Sequence, residues 1–191
     1  MDRKKFLLVS FSSLASIPVF GLVKKKEGNR CITQADALGP YFRRNVPLNN
    51  RMTTLDGGRV LRISGIVYDG EDCQEKKTLS GSTIDVWHAG TDGNYDNSSK
   101  DFLFRTKINT DSSGRYSFTT ILPGKYGSRP RHIHYKIESG GYETLVTQLY
   151  FEGAEHGSDY LSRKASTDRF IELKANDGTL EGTFDIYMQK K

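Results

Sequence analysis

The chain has 191 residues, enough for one domain with a substantial core and too few for a second of comparable size. Apolar residues at 36% and charged residues at 27% exclude collagen-like, coiled-coil and multi-span membrane architectures. The net charge of +5 owes much to Arg3, Lys4, Lys5 and Lys24 to Lys26, which flank an N-terminal apolar run; no other concentrated basic face offers itself to nucleic acid, and none is expected as a partner.

Residues 1–23 (MDRKKFLLVSFSSLASIPVFGLV) read as an export signal or N-terminal anchor. Four serines and Pro18 weaken the apolar stretch as a membrane span, and no small-x-small cleavage site stands out near residue 20. Membrane contact is expected only through an uncleaved leader. The order Arg3-Lys4-Lys5-Phe6-Leu7 resembles a twin-arginine signal with lysine in the second paired position, and the protein is expected to be periplasmic, extracellular or surface-anchored. Such compartments permit a disulfide between Cys31 and Cys73, whose spacing alone leaves a bridge and two free thiols equally open.

Residues 29–50 show no clean periodicity, and Gly39-Pro40 and Pro47 point to an irregular segment packed on the core over 24–58. Asp56-Gly57-Gly58 reads as a turn, and a β-sandwich domain is expected over 59–191. Its first strand, 59–68 (RVLRISGIVY), alternates apolar and polar residues up to Gly65, where a bulge is expected. A second, 83–89 (TIDVWHA), sets Ile84, Val86 and His88 against Thr83, Asp85 and Trp87. Residues 90–100 form a polar loop with Tyr95 as its one large side chain. Strands at 104–109 and 115–120 flank a Thr-Asp-Ser-Ser-Gly turn, read as a hairpin or a strand-loop-strand step. Further strands are expected at 132–138, 143–151, 169–174 and 179–188, with one helical turn within 159–167. Short strands at these intervals, with no long amphipathic helix between them, predict an all-β fold of two packed antiparallel sheets.

The four histidines are at 88, 132, 134 and 156. His132-Ile133-His134 opens a predicted strand, so both imidazoles share a face and can grip one metal ion. No Asp or Glu within that segment completes a facial triad. His88 reads as a packing or supporting residue, His156 as solvent-facing and Trp87 as core.

Segment 122–135 (LPGKYGSRPRHIHY) resembles the signature of the intradiol ring-cleavage dioxygenases, a family of non-heme ferric enzymes. Its Pro-Gly-x-Tyr and Arg-Pro-x-His-x-His elements carry the likeness, as does Gly93-Asn94-Tyr95 after Val86-Trp87-His88-Ala89. Gly39-Pro40-Tyr41 and Val146-Thr147-Gln148 echo it. The resemblance implies the family's β-sandwich core, one Fe(III) per chain held by Tyr95, Tyr126, His132 and His134, and Arg129 as the active-site arginine. It further implies a catecholic substrate and O2 as partners, cleavage between the ring hydroxyls to a cis,cis-muconate-type diacid, and a homo-oligomer. Tyr126 would then leave the metal and act as base for the incoming hydroxyl, and Arg129 would stabilise developing negative charge.

Phenolate oxygen is a hard donor suited to a ferric ion. Tyrosine ionises near ~10 in water, so the charge of the metal must supply its ionisation in such a site. Only Gly127 and Ser128 separate Tyr126 from Arg129, shorter than in members acting on simple catechols, and Arg131 replaces a smaller residue; both bear on the pocket rim. Two alternatives compete: a transthyretin-like binding or structural module without catalysis, and a zinc hydrolase using the histidines.

Overall fold

Alternation of buried and exposed residues, period two, sets the strands. A computed structural model describes residues 31–54, 57–153 and 159–191; the leader read over 1–23, Asp56 and His156 lie outside the described residues. One sheet is built in the order β3 (Arg105–Asn109), β2 (Thr83–Trp87), β5 (His132–Glu138), β6 (Leu145–Phe151) and β7 (Phe170–Ile171). The other centres on β1 (Val60–Asp69), with antiparallel β4 (Arg115–Ile121) on one side. β9 (Thr179–Thr183) and β10 (Ile186–Met188) run parallel to successive stretches of β1, and β8 (Lys174–Asn176) pairs with β9. The predicted two-sheet sandwich is therefore present, with parallel pairings at β1–β9, β1–β10 and β6–β7 among its antiparallel ones. One helical turn, α1 (Tyr160–Lys164), falls inside the predicted window and is capped by Asp159, whose carboxylate accepts from Ser162 N.

The core lies between the sheets. Leu61, Ile63 and Val67 of β1 meet Ile84 and Val86 of β2, Ile133, Tyr135 and Ile137 of β5, and Phe118 of β4. Fully burying one such aliphatic side chain stabilises the fold by about 1.5–3 kcal/mol.

The structure corrects two local expectations and decides between the two readings of a third. β1 passes through Gly65 with unbroken register against β4, without the expected bulge. The irregularity sits on the partner strand at Phe184 and Asp185, where the predicted strand 179–188 divides into β9 and β10. A Cβ at Gly65 would lie 1.9 Å from the Phe184 carbonyl oxygen, so the glycine admits the kinked chain. Residues 109–115 do not close a hairpin; they carry the chain from β3 in one sheet to β4 in the other.

In β5 the period-two rule sends Ile133, Tyr135 and Ile137 into the core and turns His132 and His134 to the opposite face. Trp87 and Gln148 flank His134 in register, and Tyr150 pairs with His132, so these side chains line one outer face of the sheet. The segment before β1 covers part of this face: Asp36 N donates to Val146 O at 2.8 Å, and Phe42 packs edge-on against Trp87 at 5.2 Å.

Cys31 and Cys73 form a disulfide that joins this covering segment to the turn after β1 and closes a 42-residue separation. Loop-closure entropy predicts a contribution of about 4 kcal/mol for a loop of that size. The double variant Cys31→Ser/Cys73→Ser should lose stability on that scale in urea unfolding, with an m-value that rises as the freed unfolded chain exposes more surface; equal stability would show that the covering segment is held without the bridge.

Candidate metal centre

Two loops and one strand meet on the outer face of the first sheet. The loop after β2 carries Tyr95, the loop after β4 carries Tyr126 and Arg129, and β5 carries His132 and His134. The loops touch backbone to backbone, with Gly124 N donating to Gly90 O at 2.9 Å. A Cβ at Gly93 would stand 2.0 Å from Lys125 O, and one at Gly124 would stand 2.3 Å from Thr91 O. Gly93 also has φ +82°, in the left-handed region that side chains disfavour. Only glycine at both positions lets the two tyrosine-bearing loops approach this closely.

The Tyr95 hydroxyl lies 3.1 Å from His132 Nε2 and 3.0 Å from His134 Nε2. Nδ1 of His132 donates to the Pro130 carbonyl at 2.7 Å, which leaves the lone pair on Nε2, facing Tyr95. Imidazoles that bind metals are oriented in this way by a backbone acceptor. His134 stacks flat on Trp87 at 4.8 Å, and its buried Nδ1 has no hydrogen-bond partner. Burial, reinforced by Arg129, lowers the pKa of His132 to about 4. Burial with the neighbouring His132 pushes His134 well below the ordinary histidine value. Both rings are neutral at pH 7 and present lone pairs. Burial also raises the Tyr95 phenol far above its usual value, although Arg129 and Arg105 act against it.

Tyr126 stands beside this group. Its ring meets Tyr95 edge-on at 5.4 Å, it is 37% exposed, and its hydroxyl lies 2.5 Å from that of Tyr41. His132, His134 and Tyr95 thus meet through their polar atoms, and Tyr126 joins through ring contact. Among the described residues no three His, Cys, Asp or Glu side chains form a metal site. The donor atoms that converge here are two imidazole nitrogens and the Tyr95 oxygen, with the Tyr126 phenol beside them, and nitrogen and hard oxygen donors of this kind fit a ferric ion.

Arg129 is fixed from three sides. Nε donates to Asp159 Oδ2 at 2.8 Å, Nη2 to Gln148 Oε1 at 2.8 Å and to the Tyr150 hydroxyl at 3.0 Å, and Nη1 lies 3.3 Å from His132 Nε2. The two-residue spacer is a tight turn, closed by Arg129 N donating to Tyr126 O at 3.0 Å, and it seats the guanidinium beside the imidazoles. Burial acts to raise the Asp159 carboxyl, but the Ser162 hydrogen bonds and Arg129 outweigh it and hold the group below the usual carboxylate range. Gln148 is itself held, donating through Nε2 to Ala37 O at 2.9 Å. Arg131 turns back to the loop and donates to Pro123 O at 3.0 Å.

His88 stands apart from the donor group. Fully buried, it bonds to the neighbouring Ala89 O at 2.7 Å and reaches the other sheet through Thr120 Oγ1 of β4 at 2.8 Å. The contributions of Asp159 and Arg105 carry no local sequence signal, because each depends on a partner distant in the chain. Tyr41 and Gln148 are visible in the sequence only as echoes of a family pattern.

A dioxygenase family profile matches residues 37–129 and 124–190. A chlorocatechol 1,2-dioxygenase of Pseudomonas putida is 31% identical over 191 aligned residues, covering 86% of this chain and 72% of that protein. One from Cupriavidus pinatubonensis is 34% identical over 147, covering 63% of this chain and 55% of that protein, so the chain spans about half of this second relative. Among solved structures, the dioxygenase domain of a dioxygenase carbohydrate-binding protein fusion from Streptomyces sp. SirexAA-E aligns with TM-score 0.75 and 32% identity, over 84% of this chain and 100% of that one. An intradiol ring-cleavage dioxygenase from Tetranychus urticae shares the fold at TM-score 0.74 and 18% identity, over 83% and 94% of the two chains.

The contact between the loops can be tested at its tightest point. Gly93→Ala should cost about 2–3 kcal/mol in denaturant unfolding, on the scale of overpacking against a backbone that cannot yield. Stability within about 0.5 kcal/mol of the parent would mean that the loops do not need this approach.

Proposed function

The chain belongs to the intradiol ring-cleavage dioxygenase family, and we propose that it is a ferric enzyme that opens a catecholic ring between its two hydroxyls with O2 to give a cis,cis-muconate-type diacid. The observation that carries this reading is the placement of two neutral imidazole Nε2 atoms within 3.1 Å of the Tyr95 hydroxyl, beside an immobilised guanidinium. His132, His134, Tyr95 and Tyr126 would hold one Fe(III). When bound, that ion would supply the positive charge that ionises the phenols and the catechol and readies the ring for O2.

The remaining work falls to the side chains. His132 keeps its lone pair on Nε2 through its bond to Pro130 O, and Trp87 orients His134 by stacking. Tyr126, exposed at the edge of the group, would as a phenolate take the proton of an incoming catechol hydroxyl at its oxygen. Arg129 faces the site through Nη1 and cannot swing away, because Asp159, Gln148 and Tyr150 hold its other nitrogens. A fixed, delocalised cation at that place stabilises negative charge building on the ring and on the oxygen atoms. The balance is simple: catechol and O2 combine into one diacid, and both oxygen atoms enter the product.

We also propose export from the cytoplasm. The basic-flanked apolar leader supports it, and so does the Cys31–Cys73 bridge, a bond that persists in oxidising compartments.

The test is turnover of the iron-loaded protein with catechol under ¹⁸O₂, analysed by mass spectrometry. The diacid should carry two labelled atoms, and Arg129→Leu should keep its iron while kcat/KM falls by about 10². A protein that takes up ferric ion but opens no catecholic ring overturns the assignment; full activity in the variant removes Arg129 from the mechanism.

A further inference from the structure

The loop that carries Tyr95 does not run straight on to β3; it winds back on the residue next to that tyrosine. The Asp96 carboxylate accepts from Ser98 N at 3.2 Å, Ser99 N at 2.9 Å and Leu103 N at 2.9 Å, and it pairs with Arg43 at 3.2 Å. The Asp96 carbonyl oxygen is taken by Arg105, the first residue of β3, through Nε at 3.0 Å and also through Nη2. The remaining nitrogen, Nη1, donates to Tyr41 O in the segment that precedes β1. One guanidinium thus grips the backbone beside Tyr95 and the backbone of the covering segment at once.

The backbone that delivers Arg105 to this place is strained. Within the three residues before it, Phe102 and Phe104 adopt φ +50° and +55°, the left-handed region that bulky side chains disfavour. Such strain persists only where the surroundings over-determine it, and it gathers at functional sites. The surroundings here are specific: Phe104 is buried beside His88 at 5.6 Å, its N–H donates to Thr53 O at 2.9 Å, and Arg43 covers the Phe102 ring at 4.4 Å.

The charge of Arg105 is held in an uncommon way. The residue is 3% exposed, and all three guanidinium nitrogens donate to backbone carbonyls rather than to a carboxylate. Burial, with Arg43 nearby, lowers its pKa to about 10, which leaves it charged at pH 7. A buried cation bonded to peptide oxygens gains from an anion within its field. Both the Asp96 carboxylate and the Tyr95 oxygen lie within that field.

We infer that Arg105 is a positioning residue for Tyr95 in the reaction proposed above, on which this inference rests. It holds the loop at Asp96 O so that the Tyr95 oxygen stays between the two imidazoles, and it sets a fixed positive charge against that oxygen when a ferric ion makes it a phenolate. Arg105 acts through Tyr95 and needs no contact with substrate.

The test is a double-variant cycle on ferric affinity, measured by chelator competition on the full-length protein. Arg105→Gln should weaken ferric binding roughly 10–100-fold, the scale of lost hydrogen bonds from a charged group. In a Tyr95→Phe background the same substitution should cost less than about threefold, because the group it acts on is gone. Arg105→Lys keeps the charge but loses the fork that spans both carbonyls, so its affinity should fall between those of the parent and Arg105→Gln. The lysine variant also carries the cycle if Arg105→Gln does not fold. A merely structural role would lower stability in urea and weaken iron binding by the same factor in both backgrounds. Equal losses in the two backgrounds, or no loss in either, overturn this inference alone, and so does failure of both Arg105 variants to fold. A parent whose ferric affinity is unchanged by Tyr95→Phe overturns the reading of the site and this inference with it.

Discussion

Everything at the candidate centre depends on one close approach: the backbone of the Tyr95 loop lies directly against the backbone of the Tyr126 loop. Lys125 O occupies the space where a side chain at Gly93 would begin, and Thr91 O does the same at Gly124. The sheet alone offers two imidazoles on one face of β5, which is a common and chemically mute arrangement. Bringing the loops together adds a phenol between those imidazoles and a second phenol edge-on to the first. Packing of peptide groups therefore comes before chemistry here, and the glycines of both loops belong to the site although they offer it no functional group.

The second layer of the site is electrostatic and reaches far along the chain. Asp36 forms a buried pair with Arg169 and lies 3.4 Å from the Tyr150 hydroxyl, which contacts Gln148 and Arg129. Asp159 caps α1 and holds the other side of the same guanidinium. Segments from near both ends of the described chain thus meet at one arginine. Removing a single member of such a network leaves other buried polar groups without partners, so the members depend on one another for more than their pairwise strength. The Cys31–Cys73 bridge anchors the segment that carries Asp36, Ala37 and Tyr41. In this way a covalent link distant from the donor atoms bears on their arrangement.

Local signals in the sequence account for part of this. Period-two alternation places β5 at its observed bounds and puts both imidazoles on the face opposite Ile133, and the Gly-Pro and polar stretches mark loops where loops occur. The family-like spacing around Tyr126, Arg129 and the histidines corresponds to side chains that are neighbours in space. What escapes a linear reading is whatever a distant partner decides. Gly65 suggests a bulge in its own strand, yet the irregularity lies across the pair at Phe184. Arg105 looks like an ordinary strand residue, but it is buried and clamps two carbonyls on different segments. Arg131 looks like a rim charge and is bonded back to Pro123 O. Tyr41 is marked in the sequence only by the Gly39-Pro40-Tyr41 echo of a family pattern, and its stacking on Tyr95 arises only once the leading segment and the loop share one place.

The central claim is that these loops assemble a single metal site from two phenols and two imidazoles. A crystal of the ferric-loaded protein, examined by anomalous scattering at the iron edge, tests it most directly. One iron peak should lie about 2 Å from Nε2 of His132 and of His134. The phenolic oxygens of Tyr95 and Tyr126 should complete the same coordination sphere. Iron bound elsewhere, or held by the histidines with both tyrosines remote from it, would contradict the account.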